Sequence, residues 1–120
     1  MELKAICQDN IGIIKLIGEL DMHSASDLNE SINTIRKNNI KLIILNFSKV
    51  SFVDSTGLGV ILGRYRVIAA ENGQILLVGL KPQVKKIFEL SGILNVMPLF
   101  DDENSAKIYL QKKGGYSFEK

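Results

Sequence analysis

The sequence contains almost no cysteine or histidine: Cys7 and His23 are the only residues of these two types. A structural zinc site usually needs about four cysteine, histidine or acidic ligands at set spacings, so the sequence excludes the common zinc motifs and predicts no metal. A single cysteine also excludes an intrachain disulfide, which favours a reducing compartment. Cys7 lies in an apolar opening segment, where we expect a buried and unreactive thiol.

A surplus of one charge and a long apolar segment are also missing. The 120 residues carry 15 basic and 13 acidic side chains, a net charge of +2, unlike the one-sided basic surface of nucleic-acid-binding proteins. The apolar runs are far shorter than the roughly 20 residues that a membrane span requires, and the N-terminus lacks the pattern of a signal peptide. We therefore expect a soluble, cytoplasmic protein without a nucleic-acid or membrane partner.

The glycines and hydroxyls near the middle of the chain match no complete catalytic or nucleotide-binding motif. Gly57, Gly59 and Gly63 form G-x-G-x-x-x-G, which is longer than the dinucleotide fingerprint, and no Gly-Lys-Ser/Thr phosphate loop occurs. Ser55 lacks the G-x-S-x-G surroundings of a hydrolase nucleophile. The run DSTG is longer than the aspartic-protease signature D-[ST]-G, and that chemistry also needs two carboxylates. We expect no enzymatic activity and no cofactor.

The apolar periodicity predicts the element order β-β-α-β-α-β-α-β-α. Two β-branched segments around an Asp-Asn turn predict a hairpin, and the apolar run at residues 41–47 predicts a central strand. Strands that alternate with helices indicate an α/β fold, with a small, mostly parallel sheet, an antiparallel strand at its start and helices on its faces. Pro98 predicts that the last strand lies at a sheet edge. Residues 1–112 form the single domain, and the glycine-interrupted residues 113–120 predict a flexible tail.

The predicted helices are marked by their ends and by apolar stripes. The first helix begins near Ser24, and another begins at Pro82 and ends at Gly92. Helical spacing places one stripe of the first helix toward the core. That stripe consists of Ala25, Leu28, Ile32 and Ile35.

Asp54, Ser55 and Thr56 stand where a strand gives way to a helix. One of the two hydroxyls is expected to cap the helix. Partner sites in α/β sheets lie at the carboxyl ends of strands, and a phosphoryl group on Ser55 would bring about −1.5 to −2 charges to this edge. Gly57 and Gly59 would let a partner's backbone approach closely. These features suggest a serine whose modification switches a protein–protein contact, although a cap with a tight packing contact explains most of them.

Three longer segments of the chain stand in a recognisable order. They are GELDMHSA (18–25), VSFVDSTGLGVILGRYR (50–66) and KPQVKKIFELSGI (81–93). The middle segment resembles the signature of the bacterial STAS-domain proteins that act as anti-sigma factor antagonists, and the other two resemble further segments common in that family. The resemblance covers roughly residues 1–110. The GVILGRY continuation is most similar to the branch that controls the sporulation sigma factor F.

The resemblance implies a function in partner switching. Proteins of this family bind an anti-sigma factor that is also a serine kinase, and so release the sigma factor that it holds. The kinase inactivates the antagonist by phosphorylating the serine after an aspartate, which corresponds to Ser55, and a phosphatase restores it. A monomer is expected when no partner is bound. The implied partner-binding residues are Asp21, Asp54, Ser55, Thr56, Gly57, Leu58 and Gly59.

Two alternatives remain open from the sequence. The same STAS domain would serve as an interaction module in a stress-response or other partner-switching pathway if its kinase were a different one. A less favoured alternative is a receiver-like domain phosphorylated on Asp54, which follows a buried strand, with Lys81 and Pro82 after the next strand. Against this alternative, the first strand lacks the paired acids that would bind magnesium.

Overall fold

A tight turn at Asp9 and Asn10 joins the first two strands in the computed structural model, which describes residues 1–112. These strands, β1 (Glu2–Gln8) and β2 (Ile11–Leu20), pair antiparallel. The two turn residues have φ angles of 54° and 64°. A two-residue turn with positive φ at both positions matches the twist of the flanking strands, and Asp and Asn tolerate that conformation. The predicted hairpin is confirmed.

The remaining strands add to the hairpin one after another, each parallel to the strand before it. They are β3 (Leu42–Val53), β4 (Gln74–Val78) and β5 (Leu99–Phe100). Within residues 1–112 the spatial order is β1-β2-β3-β4-β5, so the predicted mixed, mostly parallel sheet is confirmed, with β5 at an edge. The receiver-like alternative is wrong, because doubly wound receiver sheets have the order 2-1-3-4-5.

The helices cover both faces of the sheet. They are α1 (Ala25–Lys37), α2 (Ser55–Ala70), α3 (Pro82–Ser91) and α4 (Glu103–Lys112). The first three pack on one face in a single apolar core, whereas α4 packs on the other face through Ala106 and Leu110. The predicted stripe of α1 is buried throughout, and Gly92 ends α3 with a left-handed φ of 82°. In the part of the chain described here, no helix is both long and apolar enough to cross a membrane.

Strand β3 is longer than predicted. The sequence indicated a strand over residues 41–47, but pairing with β2 continues to Val53. Register irregularities opposite residues 15–19 let the strand continue with Val50 and Val53 in the core and Phe52 exposed. The longer strand brings the chain to the carboxyl ends of the parallel strands, and Asp54 directly follows its last residue, Val53.

Two other predictions are wrong in part, and a third concerns residues outside 1–112. Cys7 is exposed, because β1 is an edge strand that pairs only with β2 among residues 1–112. The strand predicted around Pro98 is reduced to β5, and a 3₁₀ helix (Ile93–Asn95) occupies the start of that segment. The flexible tail predicted at residues 113–120 lies outside the described residues.

Candidate partner-binding site

The candidate site lies where β2 and β3 end side by side. Leu20 and Val53 are register partners at the ends of these two parallel strands. The Asp54 backbone N–H donates to the Leu20 carbonyl oxygen at 3.1 Å, which continues the pairing one residue further. The loop of residues 21–24 and the start of α2 therefore emerge next to each other at the carboxyl edge of the sheet. The predicted location of the Asp54 and Ser55 segment at this edge is confirmed.

Asp54 joins the two emerging segments with both oxygens of its carboxylate. Its Oδ1 accepts a hydrogen bond from the Gly57 N–H at 2.9 Å, which makes Asp54 the N-cap of α2. Its Oδ2 accepts from the Met22 N–H at 3.1 Å, across 32 positions of sequence. The prediction that a hydroxyl caps this helix is wrong, since the carboxylate already occupies the capping position. Asp54 therefore holds the geometry of the site.

Ser55 and Thr56 are the first two residues of α2, and both are exposed. Because Asp54 caps the helix, neither hydroxyl is needed for that purpose. No hydrogen bond to either side-chain hydroxyl is found within residues 1–112. The hydroxyls are thus accessible, and they stand at the helix end where backbone N–H groups and the dipole favour an anion.

Asp21 organises the neighbouring turn. Its Oδ1 accepts from the backbone N–H groups of His23 at 2.9 Å and Ser24 at 3.2 Å. The Ser24 side chain is buried; its hydroxyl donates to the Glu19 carbonyl oxygen at 2.8 Å and accepts from the Asp21 N–H at 3.0 Å. The structure thus brings the Asp21 turn beside the start of α2, joined through the contact between Met22 and Asp54.

The hydrogen bond from the His23 backbone N–H lowers the pKa of the Asp21 carboxyl below its ordinary value, and the bonds from Ser24 lower it further. A folded-state pKa below the unfolded one means that the carboxylate stabilises the fold above the unfolded pKa of about 3.9, and that this contribution is lost as the pH falls through the folded pKa. Asp21 is therefore a carboxylate throughout the neutral range.

We predict that Asp21→Asn lowers the free energy of unfolding at pH 7, because an amide keeps an acceptor oxygen but lacks the charge. The difference between the two proteins should be constant from about pH 6 to pH 8 and should shrink as the pH falls below about 4. Urea unfolding of both proteins across this range measures it. A difference that stays constant into strong acid would contradict the assigned role of the Asp21 charge.

The three remaining predicted site residues differ in their surroundings. Gly57 is buried, and a Cβ placed on it would lie 2.7 Å from Leu20 Cγ and 2.9 Å from the Leu20 carbonyl oxygen. The expectation that a partner's backbone approaches Gly57 is therefore wrong; this glycine is needed for packing against β2. Leu58 packs partly on the main core. Gly59 is exposed, and apart from its chain neighbours and the adjacent backbone of α2, a Cβ there would meet no atom of the described residues within 4 Å.

Met22 also lies at this site, and the sequence alone did not predict it. Its side chain is 68% exposed, although its backbone is fixed by Asp54. The available signal was a large apolar residue inside a polar turn, between Asp21 and His23. Of the two arginines on α2, Arg64 donates to Asn33 Oδ1 at 2.8 Å and so links α2 to α1, whereas Arg66 is exposed.

Comparison with known proteins agrees with this architecture. The STAS domain family matches residues 2–106. The chain is 34% identical over 100 residues to an anti-sigma F factor antagonist of Paenibacillus polymyxa, covering 82% of this chain and 86% of the relative. It is 27% identical over 97 residues to an anti-sigma-B factor antagonist of Staphylococcus aureus, covering 81% of this chain and 90% of the relative.

A solved structure matches over nearly the whole chain. It is the Bacillus cell fate determinant SpoIIAA in its phosphorylated form, which superposes with a TM-score of 0.73 at 31% identity, covering 90% of this chain and 98% of that chain. The family match spans residues 2–106. It includes the whole five-stranded sheet of the described residues and the DSTG segment at the start of α2. The chain belongs to the STAS domain family.

Proposed function

We propose that this chain is an anti-sigma factor antagonist that binds an anti-sigma factor with serine kinase activity and releases the sigma factor held by it. The main support is the position of Ser55, which is exposed at the start of α2. The similar proteins with known roles are anti-sigma factor antagonists. The chain itself is an interaction module, and catalysis belongs to its partners. With such partners, we expect the chain to act in the cytoplasm.

Phosphorylation of Ser55 by the kinase is the proposed off switch. Two properties of the site support it: the hydroxyl is exposed, and the first turn of α2 tolerates an anion without refolding. The phosphoryl group adds about −1.5 to −2 charges beside the Asp54 carboxylate. In the complex this added charge would be unpaired and desolvated, which weakens binding. A phosphatase that removes the group restores binding.

Asp54 is a poorer phosphoacceptor than Ser55 in this geometry. Both of its carboxylate oxygens accept backbone hydrogen bonds, from Gly57 and from Met22. An acyl phosphate on either oxygen would remove the helix cap or the contact with the neighbouring turn. The hydroxyls of Ser55 and Thr56 make no such structural hydrogen bonds within residues 1–112. Of the two, Ser55 is the one that corresponds to the phosphorylated serine of the family.

The sporulation pathway of sigma factor F is the first candidate, because the anti-sigma F factor antagonist of Paenibacillus polymyxa is 34% identical. A stress-response pathway is the second candidate, supported by the 27% identity to the anti-sigma-B factor antagonist of Staphylococcus aureus. The fold and the switch would be the same in both. Only the surface that selects the kinase would differ.

A sigma-release assay tests the proposed function. A purified complex of sigma factor and anti-sigma factor, taken from the organism that encodes this chain, is mixed with the chain and separated by size-exclusion chromatography. We expect free sigma factor and a new complex that contains the chain. Running the assay with each sigma factor pair of that organism distinguishes the two pathways, and an unchanged elution for every pair at large excess of the chain would contradict the proposal.

A further inference from the structure

Met22 is a large apolar side chain placed beside the proposed phosphoacceptor. It is 68% exposed. Its backbone N–H donates to Asp54 Oδ2 at 3.1 Å, and Asp54 directly precedes Ser55. An apolar side chain in water costs free energy that a partner regains by covering it. The position of Met22 thus makes its exposure relevant to binding at this edge.

The turn that carries Met22 is held by hydrogen bonds on every side. The backbone N–H groups of residues 21–25 all donate to acceptors within the structure. Ser24 anchors the turn from below, since it is buried and its hydroxyl donates to the Glu19 carbonyl oxygen. A fixed backbone presents the Met22 side chain at little further cost in backbone entropy, which is the condition for a strong contact.

Resting on the proposed function, we propose that Met22 is the apolar anchor of the interface with the anti-sigma factor, and that Asp54 is the residue that positions it. Methionine is enriched at protein interfaces and adapts its shape to a pocket. The Met22 side chain would then enter an apolar pocket on the anti-sigma factor, next to the part of that kinase that contacts Ser55.

The charges around Met22 argue against a second copy of this chain as the occupant. Glu19 and Asp21 lie just before and at the start of the turn that carries Met22, and the Asp54 carboxylate accepts from the Met22 N–H. A symmetric contact between two copies would place these acids opposite one another, which costs free energy. A partner with an apolar pocket and a basic rim fits the same surface better.

Isothermal titration calorimetry of the unphosphorylated chain with the anti-sigma factor tests the anchor. Met22→Ala should weaken binding by roughly ten- to a hundred-fold, as expected for a buried interface anchor. Met22→Leu should bind within about threefold of the parent chain, because an apolar side chain of similar volume remains. The matched control is Leu90→Ala: Leu90 is 81% exposed and lies near the end of α3, about 12 Å along the helix from its start. The Leu90→Ala variant should bind the anti-sigma factor like the parent chain.

The outcomes separate this inference from the proposed function. A parent chain that binds no anti-sigma factor would reject both. If the parent binds and Met22→Ala binds equally well, only the role of Met22 is overturned. If Leu90→Ala weakens binding as much as Met22→Ala, the loss is not specific to this edge, and the anchor is again overturned.

A double-mutant cycle tests the positioning role of Asp54. In Asp54→Asn, one of the two backbone donors, Gly57 or Met22, loses its acceptor, because the amide has a single acceptor oxygen. If Asp54 acts by positioning Met22, the double variant with Asp54→Asn and Met22→Ala should lose less binding free energy than the sum of the losses in the two single variants. Strictly additive losses would overturn the positioning role, because a structural effect on α2 alone does not depend on the side chain at position 22.

Discussion

Ser55→Asp should weaken binding of the anti-sigma factor by tens- to a thousand-fold, which corresponds to about 2–4 kcal/mol of binding free energy. Ser55 is exposed at the first position of α2, beside the Asp54 carboxylate. A second carboxylate there would be placed, unpaired, in a desolvated contact. Ser55→Ala should bind within about threefold of the parent, since it removes only a hydroxyl without a partner in the described structure. Isothermal titration calorimetry measures all three proteins.

The control for this prediction is Ser105→Asp. Ser105 is also an exposed serine in the first turn of a helix capped by an aspartate, since its N–H donates to Asp102 Oδ1 at 2.8 Å. Helix α4, however, packs on the opposite face of the sheet from α2. Ser105→Asp should therefore bind like the parent. If Ser55→Asp bound as tightly as the parent, a switch based on local charge would be excluded.

Gly57→Ala should lower the free energy of unfolding by about 1–3 kcal/mol, the usual cost of an extra methyl group in a packed interior. The new Cβ would lie 2.9 Å from the Leu20 carbonyl oxygen, which is backbone and does not move aside easily. That same carbonyl oxygen accepts from the Asp54 N–H, so the start of α2 must shift away from β2. Urea unfolding at equilibrium measures the change.

Gly59→Ala is the matched control on the same helix. Apart from its chain neighbours and the adjacent backbone of α2, a Cβ at Gly59 meets nothing within 4 Å among the described residues, so the substitution brings only the gain in helix propensity. We expect Gly59→Ala to raise the free energy of unfolding by about 0.5–1 kcal/mol. Equal effects of the two substitutions would show that the contact of Gly57 with Leu20 does not control the position of α2.

The order of the elements was predictable because burial repeats with the period of each element. The α1 stripe is buried as predicted, and the Asp-Asn turn and the boundaries at Pro82 and Gly92 follow from residues with a strong backbone preference. The extension of β3 to Val53 was not predictable, since its second half depends on irregular pairing with β2. The exposure of Cys7 depends on which strand lies at the edge, which apolarity alone does not reveal.

The location of the site was predictable, but its internal contacts were not. Asp54 and Ser55 could be placed at a strand end from the local sequence. The contact of Asp54 with Met22 joins residues 32 apart, and no local pattern contains it. The role of Gly57 likewise depends on Leu20, which is distant in sequence and adjacent only after β2 and β3 pair.

Phosphorylation by the anti-sigma factor shows most directly whether Ser55 is the switch. The chain is incubated with that kinase and ATP, and the intact protein and its peptides are then analysed by mass spectrometry, with Ser55→Ala and Thr56→Ala treated in parallel. We predict one phosphoryl group, located on Ser55, which is lost in Ser55→Ala and kept in Thr56→Ala. A phosphoryl group on another residue, or none from a kinase that is active on a different antagonist, would contradict the role of Ser55 as the switch.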